Sequence, residues 1–543
     1  MRRAGVLAAL VACLACRTRT AATDAAPSVT EAPPPSRPAD ALAVAHLGRP
    51  RATFETLGEA LGASRPPDLV LVAALGLDVA VVAAVDTTRP VDVVALGGAH
   101  PGFALALTPA GAAHARSQLA TRYRFTHVEG LGERIAPRGD PGLSSPEHRV
   151  PCALVRVPST ISSRVVCASD EAALLAAGRW VAYESAARAE LHTDFEATLE
   201  GGGARGAGEA LRTLIAAAQQ RLLAEASAAR REHDRPPDYG DPEALVAELG
   251  GITDELSSAL SAVRRATLRA DVSRERVELS VDLALPADGA TLLSADARDR
   301  AAVALDPPMA ALLPADAVFM FGDRAPAASR AETLRRITAS ALRVLGDRVT
   351  LASAARADLD ALVSHTGDDL ALAVARDAPE GLEVSLALSQ TDRGTGARAA
   401  LARIAAAPWL RGLRVGAAPT VTAIRDGVVI ARAATATPGA LGPPSLAMGV
   451  RAGALVMVLG RHAQASLDAS SLRASGAAPA LLGSLRASVA GALDLASLGL
   501  RVSSPVSFTW GAQPSEGGLS ATLRVMAPTA ALALALRGAT QPR

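Results

Sequence analysis

The chain reads as an α+β protein of two tandem related modules. Each is expected to be a largely antiparallel sheet with helices on one face, the first enlarged by a long helical insertion. Three observations predict this. Short apolar runs alternate with helical stretches along the 543 residues. Neighbouring runs are joined by short polar turns of hairpin type. Four segments recur in the same order, at offsets drifting between about 275 and 292 residues.

The elements follow in order. Pro38-Ala39-Asp40-Ala41 and Pro314-Ala315-Asp316-Ala317 each lead into a short apolar strand, then a turn at Gly48 or Gly322. A helix comes next, containing Glu55-Thr56-Leu57 or Glu332-Thr333-Leu334. Gly76 to Asp86 matches Gly367 to Asp377, and Phe103 to Ala120 matches Val384 to Ala405 as strand, small-residue turn and Ala/Arg helix. Arg164 to Ala177 matches Ala454 to Ala469. Asp426-Gly427 between β-branched runs signals a two-residue hairpin. Each module closes on a further hairpin, Ala266 to Leu285 around Ser273-Arg274-Glu275, and Val506 to Ala527 turning at Pro514 to Gly518.

The insertion, residues 206–265, breaks at Arg235-Pro236-Pro237-Asp238 and resumes after Asp241-Pro242, an N-cap with proline at the first helical position. Leu211, Leu214, Ile215, Ala218, Leu222 and Leu223 form a stripe at helical spacing, read as packing against the sheet. The expected organisation is a signal at 1–15, a tether at 16–41 and module 1 at 42–300. A linker at 301–313, module 2 at 314–530 and a tail at 531–543 complete it.

Composition excludes several function classes. All 55 basic residues are arginine, and there is no lysine or asparagine, so P-loop, Schiff-base and kinase-type phosphate chemistry have no lysine to use. A net charge of +1 with 2% aromatic residues supplies neither the basic face nor the stacking rings of a nucleic-acid binder. No cofactor is implied. The strong Ala and Arg bias itself fits a GC-rich genome.

The N-terminus carries the sharpest signal. Met1-Arg2-Arg3 is a short positive segment, and Ala4 to Ala15 is uncharged and apolar. Such a run is too short for roughly 30 Å of hydrocarbon but suits the hydrophobic part of a signal peptide. Leu10-Val11-Ala12-Cys13 and Cys13-Leu14-Ala15-Cys16 both resemble the bacterial lipobox. Cys13 has the better motif, with leucine at −3, and Cys16 leaves the more comfortable apolar run. A plain secretory signal cut near Ala21 is the other reading. The resemblance implies an acylated cysteine at the mature N-terminus, as in bacterial lipoproteins with duplicated domains. Two or three acyl chains at about 0.8 kcal/mol per buried CH₂ would hold the chain on a membrane. The following stretch to Ala41, with Pro33-Pro34-Pro35, reads as a disordered, partly polyproline tether. The expected location is the cell envelope, on the outer membrane facing the periplasm.

Two cysteines remain, Cys152 and Cys167. Ala153 to Val157 and Arg164 to Val166 read as strands around a Pro158-Ser159-Thr160 turn, which places the cysteines opposite each other. A cross-strand disulfide is expected, with two buried free thiols as the alternative. An exported chain meets the oxidising compartment such a bond needs. Cys-x14-Cys lacks any paired ligand at zinc spacing, so no metal site is expected.

The remaining motif is Gly201-Gly202-Gly203-Ala204-Arg205-Gly206, between a strand-like Phe195 to Glu200 and a helix. Free amides there would suit an anion. The run resembles the Gly-Gly-Gly-x-Arg-Gly oxyanion loop of patatin-like lipases, which implies a hydrolase. The Gly-x-Ser-x-Gly nucleophile those enzymes need is missing from the chain. As Gly201-x-Gly203-x-x-Gly206 the run also fits a dinucleotide fingerprint, but a long helical stretch follows where a parallel strand should return. The plain reading is a hinge into the insertion. His365, Asp368, Asp369 and Asp377 read as loop and surface groups. The expected function is therefore a membrane-anchored, non-catalytic binding or scaffolding role, with an envelope protein or an apolar ligand as the open choices of partner. The alternatives are a membrane-proximal hydrolase or a carrier of an apolar ligand.

Mass spectrometry of the membrane fraction should find a lipidated N-terminal cysteine at 13 or 16. Replacing both with serine should release the chain or leave it unprocessed, and an unmodified N-terminus at a later residue would refute acylation.

Overall fold

The computed structural model describes residues 35–61, 77–97, 102–138, 150–157, 162–187, 193–233, 242–288, 291–301, 309, 312–345, 353–377, 381–407, 420–431, 445–473, 488–497, 502 and 504–531. Cys13, Cys16, the turn at Pro158 to Thr160 and the break at Arg235 to Asp238 lie outside them. The protein is α+β and divides into two compact units. Unit 1 is Met1–Gly206, Val263–Leu283 and Met526–Arg543; unit 2 is Ala207–Ala262 and Ala284–Val525.

Unit 1 holds strands β1 (Ala41–Leu47), β2 (Val91–Leu96), β3 (Gly102–Leu107), β4 (Tyr123–Val128), β5 (Gly132–Pro137), β6 (Cys152–Val157), β7 (Ser162–Ala168), β8 (Phe195–Glu200), β9 (Arg265–Val272) and most of β10 (Arg276–Leu285). Its helices are α1 (Pro50–Leu61), α2 (Val79–Ala83), α3 (Ala112–Ala120) and α4 (Glu171–Ala187). The strands pair antiparallel in the order β9-β8-β1-β2-β3-β7-β6-β5-β4. β10 follows β9 as the expected hairpin partner.

The middle strands are apolar on both faces. From Ala104 to Leu107 and from Val165 to Ala168 every residue is at most 3% exposed. Such continuous runs belong to sheets buried on both sides. On one side α4 sets Leu174, Ala177, Trp180 and Val181 against Val94, Ala104, Ala106, Val155 and Val166. On the other, α2 and α3 set Val81, Val82, Ala115 and Leu119 against Val91, Leu105, Leu154 and Val165. The expectation of helices on one face is therefore corrected. A strand with consecutive apolar residues has two faces to hide, and one layer of helices hides only one.

Cys152 and Cys167 stand directly opposite each other in the β6–β7 register and form a disulfide, with Cα atoms 4.1 Å apart. The bond lies in the core under α2 and α3.

Unit 2 contains β11 (Phe319–Arg324), β12 (Thr366–Asp377), β13 (Gly381–Gln390), β14 (Thr420–Ile424), β15 (Gly427–Ala431), β16 (Ser445–Arg451), β17 (Ala454–Gly460), β18 (Val489–Leu493), β19 (Val506–Ser515) and most of β20 (Gly518–Pro528). Its helices are most of α5 (Gly201–His233), then α6 (Pro242–Ser261), α7 (Leu292–Ala301), α8 (Ala327–Leu345), α9 (Ser353–Ser364), α10 (Thr395–Ala406) and α11 (Ala463–Arg473). The antiparallel order is β19-β18-β11-β12-β13-β17-β16-β15-β14. This is the order of unit 1, position by position. Again both faces are covered: Ala463 and Leu467 of α11 pack on one, Leu362 of α9 and Leu401 and Ile404 of α10 on the other. α7 and α8 are tied to β11 by arginines, Arg330 to Asp323 at 2.8 Å and Arg300 to the same carboxylate.

Several expectations change. Gly76 to Asp86 does not match Gly367 to Asp377: Asp78 caps α2 by accepting the Ala80 N–H at 2.8 Å, whereas 366–377 is strand β12. By pairing, the counterpart of β12 is β2. Gly427 is not in the hairpin turn. Asp426 takes the left-handed φ of +54°, and Gly427 begins β15, where a Cβ would stand 2.3 Å from the Met448 carbonyl oxygen. The expected linker holds core residues, since Leu312 and Leu313 are buried. The helical excursion, Ala207 to Ala262, packs with unit 2 instead of enlarging the first module. The side chains of Leu211, Leu214, Ala218 and Leu222, four of the six in the expected apolar stripe, lie outside those described.

Non-reducing peptide mapping should recover Cys152 and Cys167 as one linked pair. Cys152→Ser with Cys167→Ser should cost about 3 kcal/mol in denaturant unfolding, the chain-entropy value for a loop of this length. Free thiols in protein trapped before reduction would contradict the pairing.

Candidate functional site

The glycine run is not a loop. Residues 201–206 are the opening turns of α5, which starts directly after β8. A Cβ on Gly203 would stand 2.2 Å from the Leu42 carbonyl oxygen, so only hydrogen fits where the helix start crosses β1. Gly201 faces the carbonyls of Val263 and Arg264. Arg205 points to solvent, and Gly206 has open space around its Cα. The glycines thus serve close backbone packing. For Gly201 and Gly203 the nearest neighbours of an added Cβ are carbonyl oxygens. This corrects the reading of a flexible hinge and weakens the oxyanion-loop comparison.

The structure instead brings together residues that the sequence reading left scattered. α4 covers β2, β3, β6 and β7 but stops short of β8 and β9. As the sheet leaves its cover, side chains on that face turn from apolar to charged. β8 presents Glu196, Thr198 and Glu200, opposite Arg269, Thr267 and Arg265 of β9. Between this surface and α4 lies an open cleft of about 480 Å³. Val44, Glu196, Thr198 and Arg265 line its sheet side, Trp180 and Glu184 its helix side, and Pro35 and Arg37 its rim.

The charges are ordered along the cleft. At one end Arg265 and Arg37 both lean on Glu200, at 3.2 and 3.5 Å. At the other, Arg269 donates to Glu196 at 2.9 Å and to Asp282 at 2.6 Å. The hydrogen bond to Glu196 is the main force lifting the Arg269 guanidinium above its ordinary range, against partial burial.

Behind Glu196 the sheet buries a polar pair. His46 stands between Asp92 of β2 and Glu196 of β8 in register. Its Nδ1 lies 2.8 Å from Asp92 Oδ1, and both residues are at most 2% exposed. His46 Nε2 has no hydrogen-bond partner among the described residues. Arg164 of β7 faces the same pair: burial lowers its pKa, and the Asp92 charge opposes that. Nearby, the buried Asp194 carboxylate accepts Arg49 Nε and the Val272 N–H, each at 2.8 Å, joining the ends of β1, β8 and β9.

None of these groups was singled out from sequence. The available signal was a polar residue at a buried position of an apolar strand, His46 in Ala41–Leu47 and Asp92 in Val91–Leu96. The acidic residues that were considered have structural roles. Asp368 accepts the Ala327 N–H at 2.9 Å at the start of α8, and Asp369 pairs with Arg324 at 3.3 Å. His365 is the turn residue between α9 and β12 and stands half-exposed, 3.8 Å from Asp392. No described helix is long and apolar enough to cross a membrane.

No family model matches the chain, and no curated protein does. Two solved structures of TP0453 are similar to part of it. Crystal form III has 11% identity over 46% of this chain and 80% of that one, with a TM-score of 0.21. Crystal form I has 12% identity over 45% and 75%, also with a TM-score of 0.21.

Asp92→Ala should destabilise the protein by about 3–5 kcal/mol, because it leaves His46 Nδ1 buried without its partner. Glu184→Gln, on the open wall, should change stability by less than about 0.5 kcal/mol. Urea unfolding followed by far-UV circular dichroism measures both, and an Asp92→Ala variant as stable as the parent would refute the role given to the pair.

Proposed function

We propose that this chain is an exported, lipid-anchored envelope protein whose work is non-catalytic binding or scaffolding. The observation that carries the export half is the disulfide. Cysteines held as a bonded cross-strand pair are a feature of oxidising compartments. The lipobox-type cysteines, Cys13 and Cys16, supply the anchoring half by resemblance. The cleft beside Trp180 supports binding, since it joins an aromatic wall to charges of both signs.

The hydrolase alternative loses support because residues 201–206 form the start of a helix and Gly203 packs against the Leu42 carbonyl oxygen. The apolar-carrier alternative loses support because alanine and leucine fill the space between α4 and the sheet, with Ala104, Ala106, Leu174 and Ala177 fully buried. We also read the two units as copies of one module. What supports this is the shared order of pairings, in which Cys167 of β7 and Met457 of β17 hold the same place, opposite Leu105 and Leu386.

Export is tested by alkylating intact cells with a membrane-impermeant and then a permeant reagent before lysis. The chain should float with envelope membranes, with Cys152 and Cys167 unlabelled. Recovery in the cytosol with both thiols alkylated would overturn the proposal.

A further inference from the structure

The cleft is polarised, and its polarity names a ligand class. The neighbour of Glu184, Ser185, receives Arg164 Nε at 3.2 Å, which sets the C-terminal end of α4 at the Asp92–His46–Glu196 end of the sheet. Glu184 and Glu196 therefore share one end of the cleft. Glu196 is matched by Arg269, whereas Glu184 has no ion-pair partner among the described residues, so the described residues give this end an excess negative charge. At the other end two arginines, Arg37 and Arg265, share the single carboxylate of Glu200, which leaves an excess positive charge. Trp180 and Val44 lie between the two.

We infer that the cleft binds a small zwitterion, its ammonium group beside Glu184 and Glu196 and its acidic group beside Arg37 and Arg265, with its apolar part against Trp180 and Val44. A plain anion would meet Glu184 unpaired, and a plain cation would meet the arginines. A molecule carrying both charges satisfies both ends. A volume of about 480 Å³ suits a small molecule. The arginine fork prefers carboxylate or phosphate, so the ligand is either a free amino acid or the headgroup of an aminophospholipid.

The inference rests on the binding half of the proposed function and is independent of the anchoring half. Full-length protein in detergent is titrated by calorimetry with L-leucine, with glycerophosphoethanolamine, and with N-acetyl-leucine, which lacks the cation. Membrane partitioning of the same preparation is scored separately. Saturable binding of leucine or of the headgroup is expected, the one that binds identifying the source, with none for N-acetyl-leucine. Glu184→Gln and Arg265→Gln should each weaken binding by about tenfold, the usual worth of a charge-assisted hydrogen bond, with unchanged thermal unfolding. Three results would overturn the inference: no saturable binding of either zwitterion, equal binding of N-acetyl-leucine, or affinities unmoved by both substitutions. A chain that partitions into membranes yet binds neither zwitterion would sink the ligand assignment and leave the anchor intact.

Discussion

A sheet whose central strands are apolar on both faces has to be covered twice. In unit 1 that requirement falls on β3, β6 and β7, where consecutive residues are buried, and α4 and the α2–α3 pair meet it from opposite sides. It also accounts for the alanine content. Helices approach the strands closely because Ala104, Ala106, Ala173 and Ala177 put little between them, and dense packing of small side chains replaces the aromatic bulk that the chain lacks. The same requirement bounds the candidate site. α4 covers four strands, and where its cover ends the exposed face of β8 and β9 has to be polar.

The second constraint is electrostatic. Carboxylates taken out of water need partners, and here the available cation is always arginine, whose planar fork holds two acceptors in fixed geometry. In unit 2 Arg330 is almost fully buried and divides its donors between the Asp323 carboxylate and the carbonyl oxygens of Asp323 and Asp368. In unit 1 Asp194 gathers the ends of three strands. Such anchors specify register, because sliding one strand by a residue would leave a buried charge unpaired and turn every side chain to the wrong face.

The proposed binding would use the place where these constraints relax. The disulfide reinforces the covered part of unit 1, between two of the strands that lie buried on both faces. The cleft sits at the uncovered part, backed by the His46–Asp92 pair and Arg269, so its charges are held by ordered neighbours on a rigid sheet. Binding groups set on strands keep their spacing without a closing lid.

Much of the fold was legible by local rules. The strands at Ala41, Phe103, Ser162, Ala454 and Val506, the helices after Gly48 and Ala325, and the facing of Cys152 and Cys167 follow from short-range periodicity and turn chemistry. Local pattern misjudged two segments, Gly76 to Asp86 and the glycine run, because a helix cap at Asp78 and the passage over Leu42 decided them. The cleft was not legible at all. Its residues come from positions 35 to 265, and only antiparallel pairing of β1, β8 and β9 under the end of α4 brings them together. By itself, then, the sequence determined most of the elements and the disulfide partners, which depend on neighbours a few residues away. Tertiary structure alone decided which faces needed a second layer, which unit the long helices joined and where charges of opposite sign would meet, since burial and long-range pairing are properties of the assembled sheet.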